Sequence, residues 1–247
     1  MTHAKRSEDP AVVEAKGQQV EEAEFDRFAA DYQEIHSANI GLSGEEPAYF
    51  AEYKVREVAR CLNGKTVQRI LDYGCGVGGS IPFFRQYFSS SELIGVDVSK
   101  ESLQHAEGVY RSFAEFRHLG QDDFPVEQDS CDVAFAACVF HHIPPAEHAT
   151  SLENIRSSMT ANGEFFLFEH NPLNPLTLHA VNTCPFDADA ILIRGSEMVR
   201  RVQAAGFKDV RLRYCTFFPK ALSLFRALEP YLSWLPLGAQ YYVRARP

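Results

Sequence analysis

The stretch that decides the fold reads Leu71-Asp72-Tyr73-Gly74-Cys75-Gly76-Val77-Gly78-Gly79. The apolar run from Val67 to Asp72 predicts a short buried strand. The glycines end that strand abruptly, because glycine permits sharp chain reversals that other residues resist. A helix is expected from Ser80 to about Phe88. A strand, a glycine turn and a helix in this order are typical of a sheet that binds a ligand at its edge.

Outward from this stretch, apolar strands alternate with helices. Strands are expected at 93–98, 116–119, 131–137, 163–169, 209–217 and 240–246, and helices at 47–62, 101–113, 150–159 and 196–205. The central strands are apolar almost throughout, which indicates burial on both faces and therefore a mainly parallel sheet covered by helices. The pattern predicts an α/β fold with a doubly wound, seven-stranded sheet.

The composition is that of an ordinary globular protein with an acidic surplus. The 247 residues include 24 Lys and Arg against 33 Asp and Glu, a net charge of −9. This balance argues against general nucleic-acid binding, which needs an excess of cations. Residues 194–247 are instead basic, which indicates either a solvated face or a docking surface for an acidic substrate or partner. The six cysteines form no CxxC pair, so neither a metal site nor a disulfide framework is expected.

Two stretches interrupt the alternation of strands and helices. Residues 171–194 separate a strand from a helix by far more than the usual ~2–6 residues, and residues 218–238 separate the last two strands. The first stretch leaves the carboxyl end of a strand, where parallel sheets bind their ligands. We expect both to be insertions over the substrate site of a domain spanning 25–247. A polar, flexible arm is expected over residues 1–24.

Nothing in the sequence indicates export or a membrane span. The first residues lead into acidic side chains rather than an apolar stretch, so no signal peptide is expected. A run of about 18 apolar residues is also missing, and the expectation is a cytoplasmic protein. The amphipathic segment 221–228 either lies on a membrane or a partner or caps the substrate pocket, packed through Phe225 and Trp234.

The glycine turn formally matches the G-x-G-x-x-G fingerprint of dinucleotide sites, with Asp97 at a suitable distance to accept hydrogen bonds from a ribose diol. Asp72 distinguishes between ligands. Its carboxylate would repel a pyrophosphate at the turn, whereas it would attract an ammonium group and a sulfonium. The sequence thus favours S-adenosylmethionine. The alternatives are an NAD(P)-dependent oxidoreductase and a non-catalytic module that keeps the fold to bind a partner.

From residue 25 to residue 247 the sequence resembles the class I S-adenosylmethionine-dependent methyltransferases. The resemblance rests on the glycine turn and on the segments 95–99, 121–125, 132–135 and 139–144, which follow in the family's order and spacing. It implies a Rossmann-like sheet whose last strand is antiparallel. It also implies methyl transfer to a nitrogen or oxygen of a small molecule, such as a heterocyclic or aromatic secondary metabolite or a glycan or lipid intermediate. The oligomeric state is left open between monomer and homodimer.

The resemblance also assigns residues to parts of the cofactor. Asp97 holds the ribose hydroxyls, and Val98 packs on the adenine. The adenine amino group is bonded by the acidic loop, through Gln121, Asp122 or Asp123, unless these carboxylates are merely solvated. The residues expected at the methionyl end, from the glycine turn and the end of the fourth strand, are Asp72, Gly74, Cys75, Gly76, Ala137 and Cys138.

Candidate catalytic residues follow the fourth and fifth strands. His141 and His142 lie at the lip where this family transfers the methyl group, and one of them is either a general base or a substrate hydrogen-bond partner, unless both are structural. Glu169 and His170 end the next strand at the same crevice, where one contacts the substrate or both anchor the insertion. Tyr32 is expected on an N-terminal helix, with its hydroxyl near the methyl group or packed in the core.

Overall fold

The computed structural model describes residues 44–120, 123–184 and 189–247. Within them, seven strands form one sheet in the order β3-β2-β1-β4-β5-β7-β6. The strands β1 to β5 run parallel, whereas β7 is antiparallel to both of its neighbours. The predicted fold class is confirmed. The strands are β1 (Arg69–Tyr73), β2 (Glu92–Asp97), β3 (Glu115–His118), β4 (Cys131–Ala137), β5 (Met159–His170), β6 (Lys208–Cys215) and β7 (Gln240–Arg246).

Helices cover both faces of the sheet and form much of the two insertions. None of the helices in the described part of the chain is long and apolar enough to span a bilayer. The first insertion contains α5, and the second contains a 3₁₀ helix followed by α7. The helices are α1 (Pro47–Leu62), α2 (Ile81–Tyr87), α3 (Lys100–Tyr110), α4 (His148–Ser158), α5 (Pro175–Thr183), α6 (Gly195–Ala204), the 3₁₀ helix (Lys220–Leu228) and α7 (Glu229–Leu232).

Two apolar cores lie on opposite faces of the sheet. On one face, Phe165 and its neighbours pack against α4 and α6 through residues such as Leu152 and Met198. On the other face, Phe135 packs edge-on against Phe84 of α2, with ring centroids 5.1 Å apart. Successive residues of a strand face opposite sides, so strands covered on both faces must be apolar throughout. This is the sequence pattern that predicted a parallel sheet.

The strand order reverses between β1 and β4. Chain connections lead from β1 outward to β2 and β3, and β4 then pairs with the other side of β1. In open α/β sheets such a switch point opens a crevice beyond the carboxyl ends of the strands, where ligands bind. The glycine turn after β1 and the turn after β4 both lie there.

The two insertions are tied to each other by side chains that bind backbone carbonyl oxygens. The Asn171 amide donates to the oxygen of Gly238 at 2.8 Å and to that of Pro236 at 3.2 Å. The Asn174 amide donates to the oxygen of Leu237 at 2.7 Å, and the Thr177 hydroxyl to that of Ala239 at 2.8 Å. Asn174 also caps α5 by accepting from two backbone amides. We call this set of bonds the amide clamp.

The second insertion does not cover a pocket through its large aromatic residues. Phe225 is 49% exposed and Trp234 is 70% exposed, so the expectation that they pack the segment over the pocket is wrong. Instead, the charged side chains of this segment turn toward the protein. Arg226 pairs with Glu45 at 2.8 Å, and Glu229 is buried. The apolar side chains are left on the outside.

Candidate functional site

The glycine turn is held against the neighbouring strand and leaves space on its outer side. The amides of Gly74 and Cys75 both donate to the Val96 oxygen, at 2.8 and 3.0 Å. Gly74 has a φ of 73°, and a Cβ there would lie 2.4 Å from the Val139 side chain. Gly76 has a φ of 51°, but apart from its chain neighbours no heavy atom of the described residues lies within 4 Å of the position that a Cβ would take. The turn therefore requires glycine for its conformation and offers an open cradle beside it.

Asp97, at the end of β2, is positioned by the backbone around it. One carboxylate oxygen accepts from the Gly76 amide at 2.8 Å, and the other from the Ser99 amide at 2.9 Å. Burial raises the pKa of Asp97, and these hydrogen bonds act against that rise. Since each carboxylate oxygen has a second lone pair, Asp97 can still accept hydrogen bonds from a ligand at the turn.

Asp72, at the carboxyl end of β1, is the buried acid of the site. It is 4% exposed, and among the described residues its Oδ2 has no hydrogen-bond partner. Burial, and then the nearby Asp97 carboxylate, raise the pKa of Asp72 to about 7, while Lys54 opposes the rise. A buried carboxylate oxygen without a donor costs stability. A positively charged donor from a ligand would remove that cost.

Lys54 is a site residue that the sequence analysis missed. It belongs to α1, is 8% exposed, and donates from Nζ to the Cys138 Sγ at 3.3 Å. Burial acts to raise the pKa of the Cys138 thiol, but Lys54 and then His170 outweigh it and lower that pKa to about 6. The available signal was helical spacing: Lys54 stands four residues before the buried Val58, on the apolar face, where a lysine is unusual.

The turn after β4 is held by Glu169 at the end of β5. Its Oε1 accepts from the amides of Val139 and Phe140 at 3.1 and 2.8 Å, and its Oε2 pairs with the His141 Nδ1 at 2.6 Å. Burial opposes ionisation, but His141, His170 and the Phe140 amide lower the pKa of Glu169 to about 2. Glu169 is therefore an ionised, fully bonded carboxylate, and it fixes the orientation of the His141 ring.

Three imidazoles gather at this turn. The His141 ring lies 4.1 Å from the His142 ring and 5.2 Å from the His170 ring, measured between centroids. His141 is 2% exposed, whereas His142 and His170 are partly exposed. The backbone oxygen of His141 accepts from the Ile191 amide at 2.8 Å, which joins the end of the first insertion to the turn.

The structure thus brings most of the expected site residues together at the carboxyl edge of the sheet. Val98 follows Asp97 directly, and its backbone oxygen bonds the His118 ring at 3.0 Å. Ala137 ends β4 next to Cys138, which has a φ of 59°. Asp123 is exposed in the acidic loop. Tyr32, Gln121, Asp122 and the expected arm over 1–24 lie outside the described residues.

These residues fit the cofactor that the resemblance implies. The unpartnered Oδ2 of Asp72 suits the ammonium group of its methionyl end, and the open side of Gly76 leaves room beside the turn. The buried Lys54 ammonium offers a donor for the carboxylate at the same end. A pyrophosphate at the turn would instead face the buried Asp72 carboxyl, which has no positive charge to offer it. The arrangement favours a cationic amino-acid nucleoside.

Comparisons with known proteins agree with this geometry. A family of methyltransferase domains matches residues 70–163. The chain is 29% identical to the O-methyltransferase resE of Aspergillus sclerotiorum over 205 residues, 74% of each chain. It is 28% identical to an mRNA cap guanine-N(7) methyltransferase of Saccharomyces cerevisiae over 116 residues, 39% of this chain. The chain spans 26% of the length of the yeast enzyme and 57% of another curated relative.

Solved structures share the fold. A SAM-dependent methyltransferase of Thermotoga maritima, described as a possible histamine N-methyltransferase, superposes with a TM-score of 0.63 at 16% identity, covering 92% of this chain and 99% of that one. The switch point, the glycine turn with its two acids and the matched methyltransferase domain lie in the same part of the chain. Together they show that residues 70–163 match a methyltransferase domain, within a chain that has the fold of solved S-adenosylmethionine-dependent methyltransferases.

Proposed function

We propose that this protein transfers a methyl group from S-adenosylmethionine to a nitrogen or oxygen of a small-molecule acceptor in the cytoplasm. The observation that carries the proposal is the buried Asp72 oxygen without a donor, placed beside the open glycine turn. In this proposal the described parts of the two insertions, 171–184, 189–194 and 218–238, border the acceptor site. The Ile191 amide binds the His141 oxygen, and the Tyr241 hydroxyl binds the Ile193 oxygen at 2.9 Å. A crevice bordered so closely favours a small acceptor.

The cofactor supplies a methyl group that its sulfonium has already activated. The protein's task is therefore to orient the acceptor and to exclude water. In a well-aligned transfer, these two effects together lower the activation barrier by about 7–11 kcal/mol. An O–H or N–H acceptor must also lose a proton. Two partly exposed imidazoles, His142 and His170, are available for it at the turn after β4.

We assign the proton to His142 and a positioning role to Glu169. Glu169 is 1% exposed, and its oxygens bind the His141 ring and the amides of Val139 and Phe140, so Glu169 acts through His141 and the turn rather than on the acceptor. His170 contacts Cys138, which places it on the cofactor side of the cluster. His142 adjoins the His141 ring and is partly exposed.

Calorimetry with S-adenosylhomocysteine and with NADH tests the proposed cofactor. We expect heat of binding with S-adenosylhomocysteine and no response to NADH, because the Asp72 carboxyl disfavours a pyrophosphate at the turn. The reverse result would support a hydride-transferring enzyme. A panel of phenols, N-heterocycles and lipid-linked sugars then tests methyl transfer, with formation of S-adenosylhomocysteine as the readout. Binding of the cofactor without any accepted methyl acceptor would support the non-catalytic module.

Replacing His142 with Ala should lower kcat by about 10²- to 10⁴-fold, the usual contribution of a general base. The affinity for S-adenosylhomocysteine should stay within about twofold, since no cofactor contact is assigned to His142. His105, an exposed histidine on α3 and outside both insertions, provides the control: His105→Ala should leave kcat unchanged. Equal kcat values in both variants would reduce His142 to a structural role.

A further inference from the structure

The second insertion has an inverted distribution of polar and apolar side chains. Within the 3₁₀ helix, residues three apart lie on the same side. Arg226 and Glu229 are on the inner side. Arg226 donates to Glu45 at 2.8 Å and stacks on Tyr49, with its guanidinium carbon 4.6 Å from the ring centroid. Glu229 is 7% exposed and accepts from the amides of Phe217 and Phe218 at 2.9 and 3.1 Å.

The outer side of the same segment is apolar. Phe225 and Leu228 share one side of the 3₁₀ helix, and Leu222, at the kink near its start, precedes them by the same spacing. The spacing of three continues through Tyr231, Trp234 and Leu237. All six are exposed by 45% to 77%, and Leu224 on the adjacent side is 93% exposed. None of the residues of the 3₁₀ helix is buried.

The amide clamp extends this surface onto the first insertion. Asn174 binds the Leu237 oxygen, so the start of α5 lies beside the end of the second insertion. Leu173 and Leu176 there are 44% and 62% exposed. We call this exposed surface the apolar rim. Its members are Leu173, Leu176, Leu222, Leu224, Phe225, Leu228, Tyr231, Trp234 and Leu237.

Exposed apolar surface of this extent on a protein usually marks an interaction site. The charges of the two segments that carry the rim, 171–184 and 216–243, indicate the kind of partner; the exposed Asp189 of the first insertion lies outside both segments. In residues 171–184 and 216–243 the one acidic side chain is Glu229, and it is buried, whereas Lys220 is exposed. A chain of net charge −9 thus presents no exposed carboxylate on these stretches. Such a surface suits an anionic one, and leucines with an exposed Trp and Tyr are typical of the interfacial zone of a bilayer.

We propose that the apolar rim docks the protein onto the surface of an anionic lipid bilayer. The side chains of the rim insert among the acyl chains and headgroups, and Lys220 faces the lipid phosphates. The rim belongs to the segments that follow β5 and β6, which run parallel to each other. It therefore lies at the same edge of the sheet as the crevice and brings the crevice to the bilayer surface.

The chain contains a built-in probe of this docking, because Trp234 is its only tryptophan. Vesicles of phosphatidylcholine with about a third phosphatidylglycerol are added to the full-length protein. The emission of Trp234 and the co-sedimentation of the protein with the vesicles are recorded. We expect a blue shift, quenching by brominated acyl chains, and weaker binding to pure phosphatidylcholine or at high salt. The experiment needs neither cofactor nor acceptor, so its outcome is independent of the proposed reaction.

Substitutions on and off the rim make the test specific. The triple variant Leu224→Gln, Leu228→Gln and Leu237→Gln keeps Trp234 and should lower vesicle partitioning by at least about tenfold, because three inserted side chains are lost. Val109→Gln with Phe113→Gln is the matched control, since both residues are exposed apolar side chains of another region, and it should bind as the parent does. Absence of a blue shift, or equal binding by the triple variant, would overturn the proposal. A dimer that dissociates in the triple variant, without vesicle binding, would overturn it in favour of a second copy.

Discussion

Replacing Asp72 with Asn is expected to weaken binding of S-adenosylhomocysteine while stabilising the protein without ligand. The affinity should fall by about 10- to 100-fold, the usual worth of a hydrogen bond to a charged group. The free energy of unfolding should rise by about 2–4 kcal/mol above pH 7. The upper limit follows from the difference of roughly three units between the pKa values of Asp72 in the unfolded and folded states, at about 1.4 kcal/mol per unit. Chemical denaturation and calorimetry measure the two effects.

The dependence of both effects on pH follows from the raised pKa. Asp72 has a pKa of about 7 in the folded protein, against 3.8 ordinarily, so the folded state binds the extra proton between these values. The stability of the native protein therefore falls as pH rises from 4 to 7, and the gain from Asp72→Asn grows over the same range. Binding of an ammonium group requires the ionised carboxylate. The affinity of the native protein should thus rise toward pH 7 and level off above it, and the variant should lose this rise.

Glu164 supplies the matched control for Asp72. It is a buried carboxylate of β5, 1% exposed, but it is paired with Lys65 and Arg244. Its pKa is lowered because the hydrogen bonds to these two residues outweigh its burial. Glu164→Gln should therefore lower the free energy of unfolding and leave the affinity for S-adenosylhomocysteine unchanged. Destabilisation by Asp72→Asn as well would contradict the view of Asp72 as an unsatisfied acid.

Replacing Asp97 with Ala should abolish most of the affinity for S-adenosylhomocysteine, with a loss of at least about 100-fold. The ribose diol would lose its acceptor, and the amides of Gly76 and Ser99 would lose theirs. Ser99→Ala is the control. It removes the cap that Ser99 provides to α3 through the Ser102 amide, which should cost about 1 kcal/mol of stability. Since Asp97 stays in place, the affinity of Ser99→Ala should be close to that of the native protein.

Affinity of Asp97→Ala equal to that of the native protein would show that β2 does not contribute the ribose ligand. Asp97→Asn separates the two parts of the effect. Asn keeps one acceptor oxygen for the backbone but loses the charge and the second acceptor. Its affinity should lie between those of the native protein and the Ala variant.

The parts of the fold that were predicted from sequence are those set by local pattern. The apolar runs of β1, β2 and β4 and the glycines that follow β1 carry their structural meaning within a few residues. Helix α1 begins at Pro47 and is followed by Asn63 in the left-handed conformation, both recognisable end signals. Asp72 and Asp97, which the structure places near each other at the carboxyl edge of the sheet, were also proposed from the sequence, because each lies at or next to the end of a predicted strand.

The parts that were not predicted depend on contacts between distant residues. Lys54 lies 84 positions from Cys138, and nothing near Lys54 in sequence shows that α1 places it at the end of β4. The second insertion was recognised as amphipathic, but the pattern does not reveal which side faces the protein. The pairing of Arg226 with Glu45, 181 positions away, is what turns its polar side inward.

The amide clamp leaves the sequence of residues 236–239 less constrained than their backbone. Asn171, Asn174 and Thr177 recognise main-chain oxygens of residues 236–239 and not their side chains. Mutations at Pro236, Leu237 or Ala239 can accumulate without separating the two insertions, as long as the backbone conformation is kept. The side chains of Pro236 and Ala239 are thereby free to change, that of Leu237 is constrained by the apolar rim alone, and the three anchoring residues have little latitude.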